Sequence, residues 1–159
     1  MDTQTLIKII QLMLAPAVMI NACGLLLLGI SNKYSSMMNR IRLLNEEKRR
    51  YYHKVKEDKE MDYLELSRFQ SIHKQIRELQ YRLKLVRNVI ISYAVALFLF
   101  IFTSLLIGVE AFAGANITKY IFISTFALGM VSIAVGLKYL LTDTLRGYNI
   151  INVEVKADE

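Results

Sequence analysis

One cysteine, one proline and two histidines in 159 residues remove most familiar chemistry at the outset. The lone thiol, Cys23, allows neither a disulfide framework nor a Cys/His zinc spacing. His73 has no metal-suited partner one helical turn away, and His53 sits among Tyr51, Tyr52 and Lys54. Both histidines read as solvated face residues. No nucleophile lies near a base and no Gly-rich phosphate loop is present, so no catalytic residue, metal site or cofactor is expected. The long apolar stretches contain no Asp or Glu, which weighs against a proton-coupled transporter, because such proteins need an ionisable group at depth.

Charge is also missing from three long segments. Leu12–Ile30, Asn88–Val109 and Tyr120–Leu137 hold no charged residue. Each approaches the roughly 20 residues a helix needs to cross a bilayer. Between the first two lies Ser31–Arg87, with 15 of the 20 Lys and Arg residues. Hydrophobic content is 54% and charged content 21%, segregated into apolar flanks and a basic middle. The net charge of +6 therefore follows from a retained cytoplasmic loop rather than from a nucleic-acid partner. Ile20-Asn21-Ala22-Cys23 loosely resembles a lipoprotein cleavage box, but Leu25 to Leu28 continue the apolar run, and export would place the basic loop outside.

The chain is expected to be one all-α membrane domain, residues 1–159, with three transmembrane helices. The first runs from about residue 5 to 31. Its only proline, Pro16, lacks an N–H and is expected to kink it or relax one turn. No turn signal follows Ile30, so the helix is expected to continue out of the membrane. Residues 34–87 read as a long cytoplasmic antiparallel coiled-coil hairpin. Met37, Ile41, Leu44, Lys48, Tyr51 and Val55 recur at steps of four and three, as do Phe69, Ile72, Ile76, Leu79, Leu83 and Val86. Glu57–Met61 is the expected reversal, with Asp62 and Glu65 resembling a capping box. Arms of roughly 25 residues would project on the order of 35 Å. The second membrane helix covers about 88–109 and the third about 118–141, joined by a short turn containing Gly114 and Asn116. Residues 142–159 read as a polar, loosely ordered tail. The charge bias puts the amino terminus outside, and the hairpin and carboxyl terminus inside.

Small residues mark helix contacts in lipid. Thr125, Gly129, Ser132 and Gly136 share one face of the third helix, and the second carries Ser92, Ala96, Thr103 and Ser104. These stripes could be satisfied within one subunit and also suit a homo-oligomer. The first helix carries a polar stripe of its own: Asn21, Gly24, Leu28, Ser31 with Asn32, Ser35 and Asn39. An Asn near mid-bilayer is costly unless it meets a partner or water. Asn21 admits three roles: an interhelical hydrogen bond, a ring lining a pore on an oligomer axis, or part of a small-ligand or lipid-headgroup site. In a pore, Leu14 and Leu28 would form apolar constrictions and Gln11 would lie near the outer mouth. Lys33, Arg40 and Arg42 could hold anionic lipid at the cytoplasmic face.

The segment Leu14-Ala-Pro-Ala-Val-Met-Ile-Asn-Ala-Cys-Gly-Leu-Leu-Leu-Leu-Gly-Ile-Ser-Asn32, then Asn39-Arg-Ile-Arg-Leu-Leu-Asn-Glu-Glu47, Leu83-Lys-Leu-Val-Arg-Asn-Val-Ile90 and Thr103-Ser-Leu-Leu-Ile-Gly108, resembles a family of small bacterial membrane proteins described only as a domain of unknown function. The resemblance covers most of residues 12–141. It implies three membrane helices in a bacterial inner membrane and brings no reaction, substrate or cofactor. In that family the position of Asn21 is often a small polar residue such as Ser, from which Asn21 departs mildly.

The expectation is a homo-oligomeric channel whose first helix lines the axis, with Gln11, Leu14, Asn21, Gly24, Leu28, Asn32 and Ser35 facing the path and Gly129, Ser132 and Gly136 packing helices. The alternative is a non-transporting scaffold or accessory subunit that presents the hairpin, with Tyr51, Tyr52, Tyr63 and Tyr81, to a partner.

Overall fold

The computed structural model describes residues 3–56, 63–113 and 118–157, and these form three α-helices. Helix α1 is Thr3–Lys56, α2 is Tyr63–Ala113 and α3 is Thr118–Ala157. Each is long and apolar enough to cross a membrane. A helix suits these charge-free segments because it satisfies every backbone N–H and C=O internally where no water can do so. At 1.5 Å per residue, the 54 residues of α1 reach about 80 Å, far more than the roughly 30 Å of hydrocarbon. The reversal expected at Glu57–Met61, the cap at Asp62 and the turn through Gly114 and Asn116 lie outside the described residues. Glu65 stands in the first turn of α2, where its charge complements the helix dipole.

Helix α2 is the centre of the molecule. It packs antiparallel against both α1 and α3, which scarcely touch each other. The deepest burial follows a seven-residue step on all three helices. On α1 it falls at Pro16, Cys23, Ile30, Met37 and Leu44. On α2 it falls at Ile72, Leu79, Val86, Tyr93, Phe100 and Ile107. On α3 it falls at Gly129, Gly136 and Asp143. In a straight α-helix a stripe that repeats every seven residues drifts about 20° per repeat, which long paired helices offset by wrapping around each other left-handedly. The distal halves of α1 and α2 share a second cluster of Ile41, Leu44, Ile72, Ile76 and Leu79, with Tyr51 and Leu83 against it. Beyond it, Tyr52 meets Phe69 edge-on at 5.4 Å, and Arg68 Nε donates to Glu47 Oε1 at 3.0 Å.

One sequence expectation is corrected. Residues 142–157 are not a loosely ordered tail: α3 runs on without a break to Ala157. The physical reason is that Asp143 and Gly147 continue the buried face of Gly129 and Gly136. Pro16 lies inside the helix, as expected. It is fully buried inside the continuous α1, its ring part of the seven-residue seam toward α2.

Candidate functional site

The α2–α3 seam is built from small and hydroxyl side chains. A Cβ added at Gly129 would lie 2.7 Å from Phe100 Cε1, and one at Gly136 would lie 3.2 Å from Ser92 Cβ and Tyr93 Cε2. Ser132 Oγ donates to the Ser92 carbonyl at 2.8 Å. The hydroxyls of Thr103 and Thr125 are 2.9 Å apart, and each also lies within reach of a carbonyl on its own helix, at Leu99 and Phe122. One hydroxyl donates across the seam and the other to its own backbone, so neither is left unpaired in an apolar layer. Lipid offers no hydrophobic force between helices, and close backbone approach with such bonds is what holds them. Gly129, Ser132 and Gly136 therefore contact α2 of the same chain. Thr103→Val is expected to lower stability by only about 0.6 kcal/mol, because Thr125 keeps its Phe122 acceptor. Detergent-denaturant unfolding checks this, and a loss several times larger would contradict it.

Helix α1 behaves differently. Its membrane portion packs on α2 through Cys23 and Ile30, in one cluster with Val89, Tyr93 and Ala96. The polar stripe takes no part in that contact. Gln11, Leu14, Asn21, Gly24, Leu28, Asn32 and Ser35 are all exposed and face away from α2. Leu14 and Leu28 are each 63% exposed. Nothing lies within 4 Å of a Cβ placed at Gly24. The Asn21 amide has no partner among the described residues. Leu14, Asn21, Leu28 and Ser35 are themselves seven residues apart, so they share one line along the outer face, about 10.5 Å between successive members.

A second polar feature escapes the sequence reading. Asp143 is fully buried where the three helices come together. Lys33 Nζ of α1 donates to its Oδ2 at 2.5 Å, and Arg82 Nε of α2 donates to its Oδ1 at 3.0 Å. The cations are partly exposed, 36% for the Lys33 side chain and 23% for Arg82. All three charge-free segments end within two turns of this point, at Ile30, Asn88 and Leu137. The available signal was spacing: Asp143 stands seven residues past Gly136 and fourteen past Gly129.

Among the described residues no three His, Cys, Asp or Glu side chains converge to hold a metal ion. His73 instead sits edge-on to Phe69 at 5.1 Å. Lys48 of the distal arm lies over the Tyr52 ring at 5.7 Å, a cation–π contact one turn away.

Three helices long and apolar enough to span a bilayer, with a polar face turned outward on the first, point to a multi-pass membrane protein. The chain belongs to the family described as "Protein of unknown function (DUF2721)", which it matches over residues 13–153. No curated protein and no solved structure matches it.

Proposed function

We propose that the protein is the subunit of a homo-oligomeric membrane channel in which α1 lines a shared axis. The observation that carries this is Asn21, an amide without a partner among the described residues, on the outer face of a charge-free segment. Leaving such a group in hydrocarbon costs on the order of 4–8 kcal/mol. Water on an axis, or a second copy, removes that cost, whereas α2 and α3 of the same chain do not. The seven-residue line gives a path with alternating rings: Leu14, Asn21, Leu28 and Ser35. Amide and hydroxyl oxygens would replace part of an ion's hydration, and the leucine rings would gate by dewetting. Gln11 and Asn32 flank the two ends. The basic middle segment places the distal halves of α1 and α2 in the cytoplasm as an antiparallel coiled-coil hairpin, with the amino terminus outside and the carboxyl terminus inside. The membrane is the bacterial inner membrane.

The test is a substituted-cysteine scan from Ala15 to Ser35 on a Cys23→Ser background, using a water-soluble, membrane-impermeant thiol reagent. Labelling at Asn21, Gly24 and Leu28 with silent neighbours is the expected result. No labelling between Pro16 and Gly29 would overturn the pore. Gly24→Leu is expected to change oligomer cross-linking while leaving the isolated subunit at least as stable as the wild type, because the position touches nothing in its own chain and leucine gains helix propensity.

A second role is favoured by the distal arms, where Leu43 is 66% and Tyr52 54% exposed. A scaffold would use them to hold a cytoplasmic partner. Stoichiometric recovery of one protein with the wild type, lost in Leu43→Glu, together with no ion flux in liposomes, would favour the scaffold over the channel.

A further inference from the structure

We propose that Lys33, Arg82 and Gly147 form a binding site for a phosphate-type anion at the junction of the three helices, with Asp143 as the fixed counter-charge that organises it. The site is independent of the channel assignment.

The charge count comes first. Two cations share one carboxylate, so the cluster carries a net charge of +1. Each carboxylate oxygen is covered by one cation, Oδ2 by Lys33 and Oδ1 by Arg82, which leaves little negative surface to repel an anion.

The donors come next. Arg82 uses only Nε on Asp143, and its two Nη nitrogens have no acceptor among the described residues. Among those residues no buried side-chain nitrogen or oxygen lacks a partner, so the Nη groups reach the surface. Two Nη groups form a flat fork that fits two oxygens of a phosphate. Lys33 Nζ keeps two further N–H donors after serving Asp143. Because Asp143 is completely buried and grips both cations, they are held in place before any anion arrives.

Gly147 supplies the third element. A Cβ there would stand 2.9 Å from Arg82 Nη2 and 3.2 Å from Cζ. The guanidinium therefore rests against the bare backbone of α3, a position that any side chain would deny it. Beside the seam, the Arg146 guanidinium lies over the Tyr81 ring at 4.1 Å and adds positive field, with no carboxylate partner among the described residues. The level also fits: the charge-free segments end here, where a bilayer places its phosphates. A lipid phosphodiester and free inorganic phosphate share the chemistry the site recognises.

The experiment uses the full chain in detergent. Native mass spectrometry measures retention of phosphatidylglycerol against phosphatidylcholine, and calorimetry measures binding of inorganic phosphate. The variant is Lys33→Gln/Arg82→Gln/Asp143→Asn, which leaves no buried charge unpaired. The control is Arg49→Gln on the exposed distal arm, which changes the net charge by the same amount. The wild type and control are expected to retain phosphatidylglycerol about tenfold over phosphatidylcholine, with the preference lost in the triple variant. Inorganic phosphate binding lost only in the triple variant, without lipid preference, supports the site with free phosphate as its occupant. Equal behaviour of the triple variant and Arg49→Gln overturns it in favour of diffuse surface charge. Binding of neither probe by the wild type overturns it as well. Should the triple variant not fold, Gly147→Ala decides: it changes no charge, and unaltered anion retention overturns the site while a several-fold loss supports it.

Discussion

Gly129→Ala is expected to lose about 1–3 kcal/mol of stability relative to Gly24→Ala, measured by unfolding in mixed micelles of increasing denaturing detergent. Both changes add the same methyl group to a helix interior. Both gain the same intrinsic helix propensity, about 1 kcal/mol. Their difference therefore isolates the surroundings. At Gly129 the new carbon would sit 2.7 Å from Phe100 Cε1 and 3.0 Å from Cζ. Phe100 is completely buried, and its ring also leans on Phe126 at 5.4 Å, so it has nowhere to swing. Relief requires α2 and α3 to move apart, which strains the Thr103–Thr125 and Ser132–Ser92 hydrogen bonds on either side. At Gly24 the methyl group meets open space. Equal stabilities for the two variants would show that the helices are not in the close contact described.

The double variant Lys33→Gln/Arg82→Gln is expected to lose about 3 kcal/mol, and addition of Asp143→Asn to restore most of it. Removing the cations leaves a fully buried carboxylate without a counter-charge, the costly half of a broken ion pair. The magnitude is set at the lower end of the usual range because both cations are partly exposed and water can approach them. Neutralising Asp143 as well removes the penalty rather than adding to it. Non-additivity of this sign is the mark of three charges acting as one unit. If the triple variant is as unstable as the double, the loss comes from packing of the long side chains and not from charge.

The helices were legible because absence of charge over about 20 residues is a strong constraint, and the three charge-free segments have little else they can be. Residues that occupy the distal seam, such as Ile41, Leu44, Ile72, Ile76 and Leu79, were legible from their steps of three and four. The outward polar line on α1 was visible as a stripe, but periodicity alone gives a face and not its direction. It took the burial of Cys23 and Ile30 to turn that face away from α2. Asp143 was missed for a different reason. Hydropathy ends the third span near Leu141, and a carboxylate after that point looks like solvent-facing tail. Its burial depends on Lys33 and Arg82, which are 110 and 61 residues distant in the chain, and no local pattern joins them. The burial of Pro16 was not legible either, because its missing N–H speaks only to the backbone, whereas its compact ring fits a buried seam.

Helix α2 contacts both neighbours while α1 and α3 scarcely meet, and this bears on how the protein is made. Each helix pairs with the one that precedes it in the chain, so packing can advance in the order in which the ribosome delivers the segments, with no finished contact needing to be undone. The Lys33–Asp143 bond is the exception. It joins the first helix to the last and can close only after the third span is inserted, so it marks a chain with all three helices packed and distinguishes it from one that stopped after two.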